Sequence, residues 1–114
     1  MSDEILDAEE LLEECDGDKD MLARWVEIFD RDYQERLPKL RAAIQDGDCE
    51  ALMSQAHAIK GGVGNFFAIA ASETAHKLEM MGRNKEPSDA EATLSTLESD
   101  LEKLRQTLDE LIRS

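Results

Sequence analysis

Residues 52–66 read LMSQAHAIKGGVGNF, and this stretch indicates both that the chain is helical and where its chemistry lies. Its apolar residues recur at intervals of four, three, four and three, which is typical of the buried face of a helix. They are Leu52, Ala56, Ile59, Val63 and Phe66. At about 100° per residue, His57 lies about 140° from the centre of that face. The pattern therefore predicts a helix over about residues 49–66 with His57 mostly exposed.

Three glycines, Gly61, Gly62 and Gly64, fall in the second half of this helix. Each costs about 0.8–1 kcal/mol relative to alanine in a helix interior, so a helix that ends at Gly61 is the alternative. The apolar face continues to Phe66 without a break in phase, which favours the continued helix. Glycines on its exposed side then leave a bare strip beside His57, where another protein's backbone or a tetrahedral group can approach closely.

The rest of the chain predicts four more helices joined by short connections. Three of them span about residues 4–15, 19–45 and 69–83, and the fourth starts at Pro87-Ser88. The helix over residues 69–83 is expected to stop near Gly82. Pro38 should kink the second helix, and Asp48 can cap the third. The leucines of the final helix favour packing within the chain over a coiled coil, because their run is short. We expect an all-α fold, an antiparallel up-down bundle in one domain spanning residues 1–114.

Charge and cysteine content exclude several classes of function. The formal net charge is −14, which argues against nucleic acid as a partner. The acidic excess is terminal, since residues 21–85 hold nine acidic and nine basic groups. Cys15 and Cys49 form neither a disulfide framework nor a metal-ligand spacing. With no membrane-spanning run and no secretory pattern at the N-terminus, we expect a cytoplasmic protein.

An exposed His57 beside Lys60 suggests phosphoryl chemistry. A neutral imidazole is a good nucleophile near pH 7, and Lys60, one turn away, can offset charge on phosphoryl oxygens. The sequence shows no acid or base partner beside His57, so a hydrolytic triad is not indicated. Phosphoryl transfer needs mainly positioning and charge stabilisation, which a partner protein can supply together with Mg²⁺.

The run His57-Ala58-Ile59-Lys60-Gly61 resembles the His-x-Leu-Lys-Gly signature of histidine-containing phosphotransfer (Hpt) domains. The order of helices resembles that family over nearly the whole chain. The resemblance implies a four-helix bundle with an additional short N-terminal helix. It also implies a phosphocarrier rather than a true enzyme, which shuttles phosphoryl groups between aspartates of response-regulator receiver domains or takes them from a sensor kinase. His57 would then be the phosphoacceptor, Lys60 would steady the phosphoryl group, and Gly61 would keep the approach clear.

The resemblance further implies that Mg²⁺ is held by the partner receiver domain, with no intrinsic cofactor and no metal site. Phe67 stands where many members of the family have a second glycine, and Asn65 stands where a small polar residue is common. Helical phase and the resemblance together predict a partner-binding surface around His57. Its residues are Met53, Ser54, Ala58, Gly61, Gly64 and Asn65, with Arg31 and Arg36 at the rim.

The sequence is compatible with other interpretations. His76, the other histidine, is expected to be an ordinary surface side chain. Gly61-Gly62-Val63-Gly64 is not a nucleotide-binding loop, because Lys60 precedes the glycines and no strand comes before them. Two alternative functions are a helical adaptor without phosphate chemistry and the phosphoacceptor domain of a larger chemotaxis-type kinase. A monomer is the simplest oligomeric state.

Overall fold

The structure, a computed structural model, describes residues 5–114, so the predicted helix start at residue 4 lies outside the described range. Within residues 5–114 all regular secondary structure is helical, which confirms the predicted all-α class. The helices are α1 (Ala8–Glu14), α2 (Lys19–Asp46), α3 (Cys49–Gly64), α4 (Ile69–Arg83) and α5 (Ala90–Arg113). None of these helices combines the length and the apolar character that crossing a membrane requires.

Aspartates cap the first three helices. The side chains of Asp7, Asp18 and Asp48 each accept a hydrogen bond from the backbone N–H three residues later, at 3.0–3.1 Å. Such caps satisfy one of the free N–H groups that every helix leaves at its start. The Asp48 cap confirms the sequence-based expectation. The cap at Asp7 explains why α1 begins at Ala8 rather than near residue 4.

Helices α2, α3 and α4 are each followed by a single residue in the left-handed conformation, as in Schellman motifs. At the end of α3 this residue is Phe67, with φ 56°, and the Ala68 N–H donates to the Val63 carbonyl at 3.3 Å. Helix α3 therefore ends at Gly64, two residues before the predicted end. The prediction that the helix continues through Gly61 and Gly62 is confirmed.

Four helices contact one another in a cycle. Helix α3 packs most extensively on α4, α4 also packs on α5, and α2 contacts both α3 and α5. The predicted apolar face of α3 is buried, and so are the leucines of α5 as far as Leu108. The buried leucines of α5 are Leu94, Leu97, Leu101, Leu104 and Leu108. These leucines pack against other helices of the same chain. The sequence predicted this arrangement in preference to a coiled coil. Helix α2 continues through Pro38.

Gly82 lies inside α4, where the backbones of α3 and α4 touch. The sequence predicted this helix over about residues 69–83 with an end near Gly82, and the observed end at Arg83 agrees. A Cβ atom on Gly82 would lie 2.6 Å from both the Cys49 carbonyl oxygen and the Met53 nitrogen. Both atoms belong to the backbone of α3 and cannot rotate away. Gly82 is therefore required for the close approach of the two helices.

Replacing Gly82 with alanine should lower the free energy of unfolding by about 1–3 kcal/mol, the usual cost of overpacking a tight contact. The gain in helix propensity, at most about 1 kcal/mol, opposes this loss without cancelling the steric clash. Urea unfolding followed by circular dichroism measures the change. An unchanged or higher stability would show that α3 and α4 do not approach as closely as described.

Candidate functional site

His57 lies on the solvent side of α3, as predicted, and its side chain is 68% exposed. Its imidazole contacts a carboxylate from the neighbouring helix: Nδ1 lies 2.9 Å from Oε2 of Glu79 in α4. The Glu79 side chain is only 3% exposed. One ring nitrogen is thus held by a buried acidic group, while most of the ring remains accessible to solvent.

Glu79 is the centre of a group of charged and titratable side chains that we call the Glu79 cluster. The Lys60 ammonium lies 2.6 Å from Oε1. The Arg83 guanidinium lies 3.4 Å from Oε2, the oxygen that also contacts His57, and His76 Nδ1 lies 3.6 Å from Oε1. Buried carboxylates need such compensation, because an isolated buried charge is very costly. Helix α3 supplies His57 and Lys60, and helix α4 supplies the other members.

The charge state of Glu79 follows from these contacts. The Lys60 ammonium is the main cause that lowers the pKa of Glu79, from 4.5 to about 2, with a further contribution from His57. Burial acts in the opposite direction but is outweighed. Glu79 is therefore an ionised carboxylate at neutral pH.

An ionised carboxylate can only accept hydrogen bonds, so it selects one tautomer of a neutral imidazole. At 2.9 Å, the proton of His57 must lie on Nδ1, between the ring and Glu79. Nε2 then carries the free lone pair. The site thus holds an exposed imidazole that is ready to act as a nucleophile through Nε2.

Sequence reasoning missed Glu79, because it found no acid or base partner for His57. Glu79 directly follows the core residue Leu78 in α4, and that position was its only signal. His76 is 54% exposed, in agreement with the surface position expected for it, but it belongs to the Glu79 cluster. Arg83 was not expected near the site.

The glycines of α3 have two different structural roles. A Cβ atom on Gly61 or on Gly64 would meet nothing within 4 Å, so both leave open space on the exposed face. A Cβ atom on Gly62 would lie 3.1 Å from the ring of Phe29 in α2. Gly62 therefore makes room for packing inside the protein, whereas Gly61 and Gly64 leave the surface beside His57 bare.

Replacing Gly61 with alanine should raise the free energy of unfolding by about 0.5–1 kcal/mol, because it removes an exposed glycine from a helix interior. Replacing Gly61 with glutamine should instead cover the approach to His57, and for the phosphoryl acceptor that the family resemblance implies it should slow transfer about tenfold or more. Thermal unfolding measures the effect of Gly61→Ala on stability, with Gly64→Ala as the control. Transfer rates measure the effect of the glutamine variant. A glutamine variant with the wild-type transfer rate would contradict the role of Gly61.

The remaining residues of the predicted partner surface occupy several environments. Ser54, Gly64 and Asn65 are exposed, and Met53 and Ala58 are partly buried. Arg31 pairs with Glu27 at 3.0 Å on the exposed side of α2. Arg36 donates to Asp32 at 2.7 Å and to Gln55 at 3.1 Å. Because Gln55 lies two residues before His57, Arg36 links α2 to α3 close to the histidine. In residues 5–114, no group of three or more acidic, histidine or cysteine side chains is arranged to hold a metal ion.

Comparison with known proteins identifies the fold and the family. Among solved structures, the chain is similar to histidine-containing phosphotransfer protein B (HptB) from Pseudomonas aeruginosa PAO1, with 30% sequence identity and a TM-score of 0.85. The alignment covers 95% of this chain and 94% of that one. A search of curated proteins gives no significant match. The sequence profile of the Hpt domain matches residues 24–107, a range that contains the whole Glu79 cluster. The chain therefore belongs to the Hpt domain family.

Proposed function

We propose that this protein is a phosphorelay intermediate in which His57 accepts a phosphoryl group and passes it to the aspartate of a receiver domain. The donor is the aspartyl phosphate of another receiver domain or a sensor histidine kinase. The observation that carries this proposal is the 2.9 Å contact between Nδ1 of the exposed His57 and the buried, ionised Glu79. Membership of the Hpt domain family supports the same class of reaction.

The proposed transfer has a simple chemical course. The lone pair on Nε2 attacks the phosphorus of the aspartyl phosphate, an N–P bond forms, and the P–O bond to the aspartate breaks. The aspartate leaves as a carboxylate, and the ring, which keeps its Nδ1 proton, gains positive charge. Glu79 offsets that charge, so it stabilises the transition state as well as the correct tautomer. The same contacts serve the reverse reaction, in which His57 is the leaving group.

The partner supplies the rest of the machinery in this proposal. Mg²⁺ bound in the receiver domain would neutralise phosphoryl oxygens, and the receiver would hold phosphorus in line with Nε2. The chain is then a carrier rather than a complete enzyme. We further propose that residues 1–114 act as one cytoplasmic domain and a monomer. The contact cycle of α2 to α5 supports an antiparallel up-down four-helix bundle, with α1 as the additional helix.

Replacing Lys60 with alanine should slow phosphotransfer to His57 about tenfold or more, because the ammonium would no longer offset charge on the phosphoryl oxygens. Lys60→Arg should retain more of the rate, since it keeps the positive charge. Lys77→Ala, on the exposed side of α4, is the matched control. Equal phosphotransfer rates for Lys60→Ala and Lys77→Ala would show that Lys60 does not stabilise the phosphoryl group.

The proposal is tested with receiver domains charged by labelled acetyl phosphate in the presence of Mg²⁺. The wild-type protein should acquire label that is labile in acid and stable in base, as a phosphohistidine is. If folded protein takes no label from a broad receiver panel or from sensor kinases, the proposal fails. A protein that binds receivers without taking label would instead be the phosphate-independent adaptor.

A further inference from the structure

An apolar groove of about 570 Å³ runs along the seam between α2 and α5. This seam is the least extensive contact in the cycle of four helices. On the α2 side the groove is lined by side chains that recur every four residues and are only partly buried, namely Phe29, Tyr33 and Leu37. On the α5 side the apolar lining consists of the buried Leu101, Leu104 and Leu108. We call this feature the α2–α5 groove.

The α2–α5 groove lies away from the Glu79 cluster. The described residues that line it all belong to α2 or α5, whereas His57 and Lys60 belong to α3 and Glu79 belongs to α4. Because α3 packs on α2 and on α4, helices α3 and α5 stand diagonally opposite in the cycle. A protein seated in the groove therefore leaves the exposed side of His57 open.

The polar lining of the groove is acidic. Of the described charged residues that line it, three are acidic and one is basic, namely Asp30, Glu98, Glu102 and Arg105. Arg105 contacts two carboxylates, those of Asp30 and Asp109, so its single charge does not offset both. Glu102 is exposed and forms no ion pair in the part of the chain that the structure describes. The groove therefore has an uncompensated negative charge at its rim.

The phenol of Tyr33 reports the same negative charge inside the groove. Burial is the main cause that raises the pKa of Tyr33 to about 12. Glu98 raises this pKa further, and Arg41 lowers it by a smaller amount. The two residues pair with each other at 3.1 Å, so the carboxylate outweighs the guanidinium at the phenol. An occupant with positive charge is therefore favoured over one with negative charge.

We propose that the α2–α5 groove binds an amphipathic helix of a partner protein, whose apolar side chains lie between α2 and α5 and whose lysine or arginine residues face the acidic rim. A helix fits this groove because its own side chains at intervals of three and four match the spacing of the α2 residues. A second copy of this chain is a poor occupant, since it would bring the same acidic rim and a net charge of −14. The site goes beyond the proposed function, because it binds its partner without using His57.

A designed peptide tests the groove directly. The probe is a fluorescein-labelled peptide of leucine and lysine, about 18 residues long so that it can form a helix. Its leucines recur at intervals of three and four, and the matched peptide has glutamate in place of every lysine. The lysine peptide should bind about tenfold or more tightly than the glutamate peptide, and its Kd should rise with salt. Equal Kd values for the two peptides would overturn the proposal.

Tyr33 gives a local signal of binding, because it is the only tyrosine in the chain. In protein labelled with 3-fluorotyrosine, the fluorine resonance should shift when the lysine peptide binds. Tyr33→Ser should raise the Kd about tenfold or more. Glu102→Lys should raise it about threefold or more, and the exposure of Glu102 makes this second variant compatible with folding. No shift at Tyr33, or wild-type affinity in both variants, would overturn the proposal.

Three control variants separate the groove from other surfaces of the chain. Ile28→Ser removes a 60% exposed apolar side chain of α2 that does not line the groove. Glu91→Lys reverses an exposed charge at the start of α5. Neither should change the Kd, and nor should His57→Gln, so peptide binding stands or falls independently of phosphotransfer. Weaker binding in Ile28→Ser or His57→Gln would place the peptide elsewhere. Sedimentation that shows a dimer dissociated by Tyr33→Ser would assign the groove to a second copy and overturn the inference.

Discussion

His57→Gln should take up no acid-labile phosphate from charged receiver domains, whereas His76→Gln should be labelled at a rate within about threefold of wild type. Glutamine has no nucleophilic ring nitrogen, so the loss at position 57 should be complete rather than partial. Its amide can still donate to Glu79, which keeps the buried carboxylate partnered. The substitution therefore tests the chemistry without leaving a buried charge unsatisfied.

His76 is the matched control, because it is the other histidine near Glu79. Its Nδ1 lies 3.6 Å from Oε1, beyond ordinary hydrogen-bond distance, whereas His57 Nδ1 lies 2.9 Å from Oε2. Glu79 therefore fixes the tautomer of His57 and not that of His76. Label that persists in His57→Gln and disappears in His76→Gln would show that the assignment of the phosphoacceptor is wrong.

Glu79→Gln should slow transfer to His57 about 10- to 100-fold, by analogy with the losses seen when the groups that orient metal-binding histidines are removed. The amide has nearly the same shape, but it carries no charge to stabilise the ring as the N–P bond forms. The positive charge on the ring is complete in phosphorylated His57, so losing Glu79 destabilises that state as well as the transition state, and transfer from phosphorylated His57 to a receiver should slow less than transfer to His57. Rapid-quench measurements in both directions test this. Unchanged rates in a folded Glu79→Gln protein would exclude the electrostatic role.

The same substitution has a predicted effect on acid stability. Because the native pKa of Glu79 is about 2 and its ordinary value is 4.5, the unfolded chain binds the proton more readily than the folded one. The ionised Glu79 therefore contributes stability above about pH 4.5 that is lost progressively as the pH falls toward 2. Urea unfolding across this range should show a steeper loss for wild type than for Glu79→Gln. Identical slopes would contradict the lowered pKa.

The sequence predicted most of the secondary structure because helical periodicity is a local property. The spacing from Leu52 to Phe66 placed the buried face of α3 and the exposure of His57 correctly. It placed the end of α3 two residues too late. Phe66 remains buried, with its ring 5.6 Å from that of Phe29, although it follows the last helical residue. The apolar pattern therefore continues past the helix, and the left-handed Phe67 that ends it is not a residue typical of that conformation.

The features that the sequence did not reveal depend on contacts between helices. The only local sign of Glu79 was its position after Leu78, because its partners His57 and Lys60 lie about twenty residues earlier in the chain. Gly82 was interpreted as a helix end, which is the commoner role of a glycine near that position. Its actual role, the close packing of α4 on α3, can be recognised only when both backbones are placed.

Nitrogen–phosphorus NMR detects directly whether His57 carries phosphate on Nε2 while Glu79 holds Nδ1. Protein containing ¹⁵N-histidine is charged by a receiver domain, and the ¹⁵N–³¹P coupling is recorded. We predict a single phosphorylated ring, that of His57, with phosphorus coupled to Nε2 and a proton retained on Nδ1. Phosphorus on Nδ1 of His57, or on His76, would contradict the account.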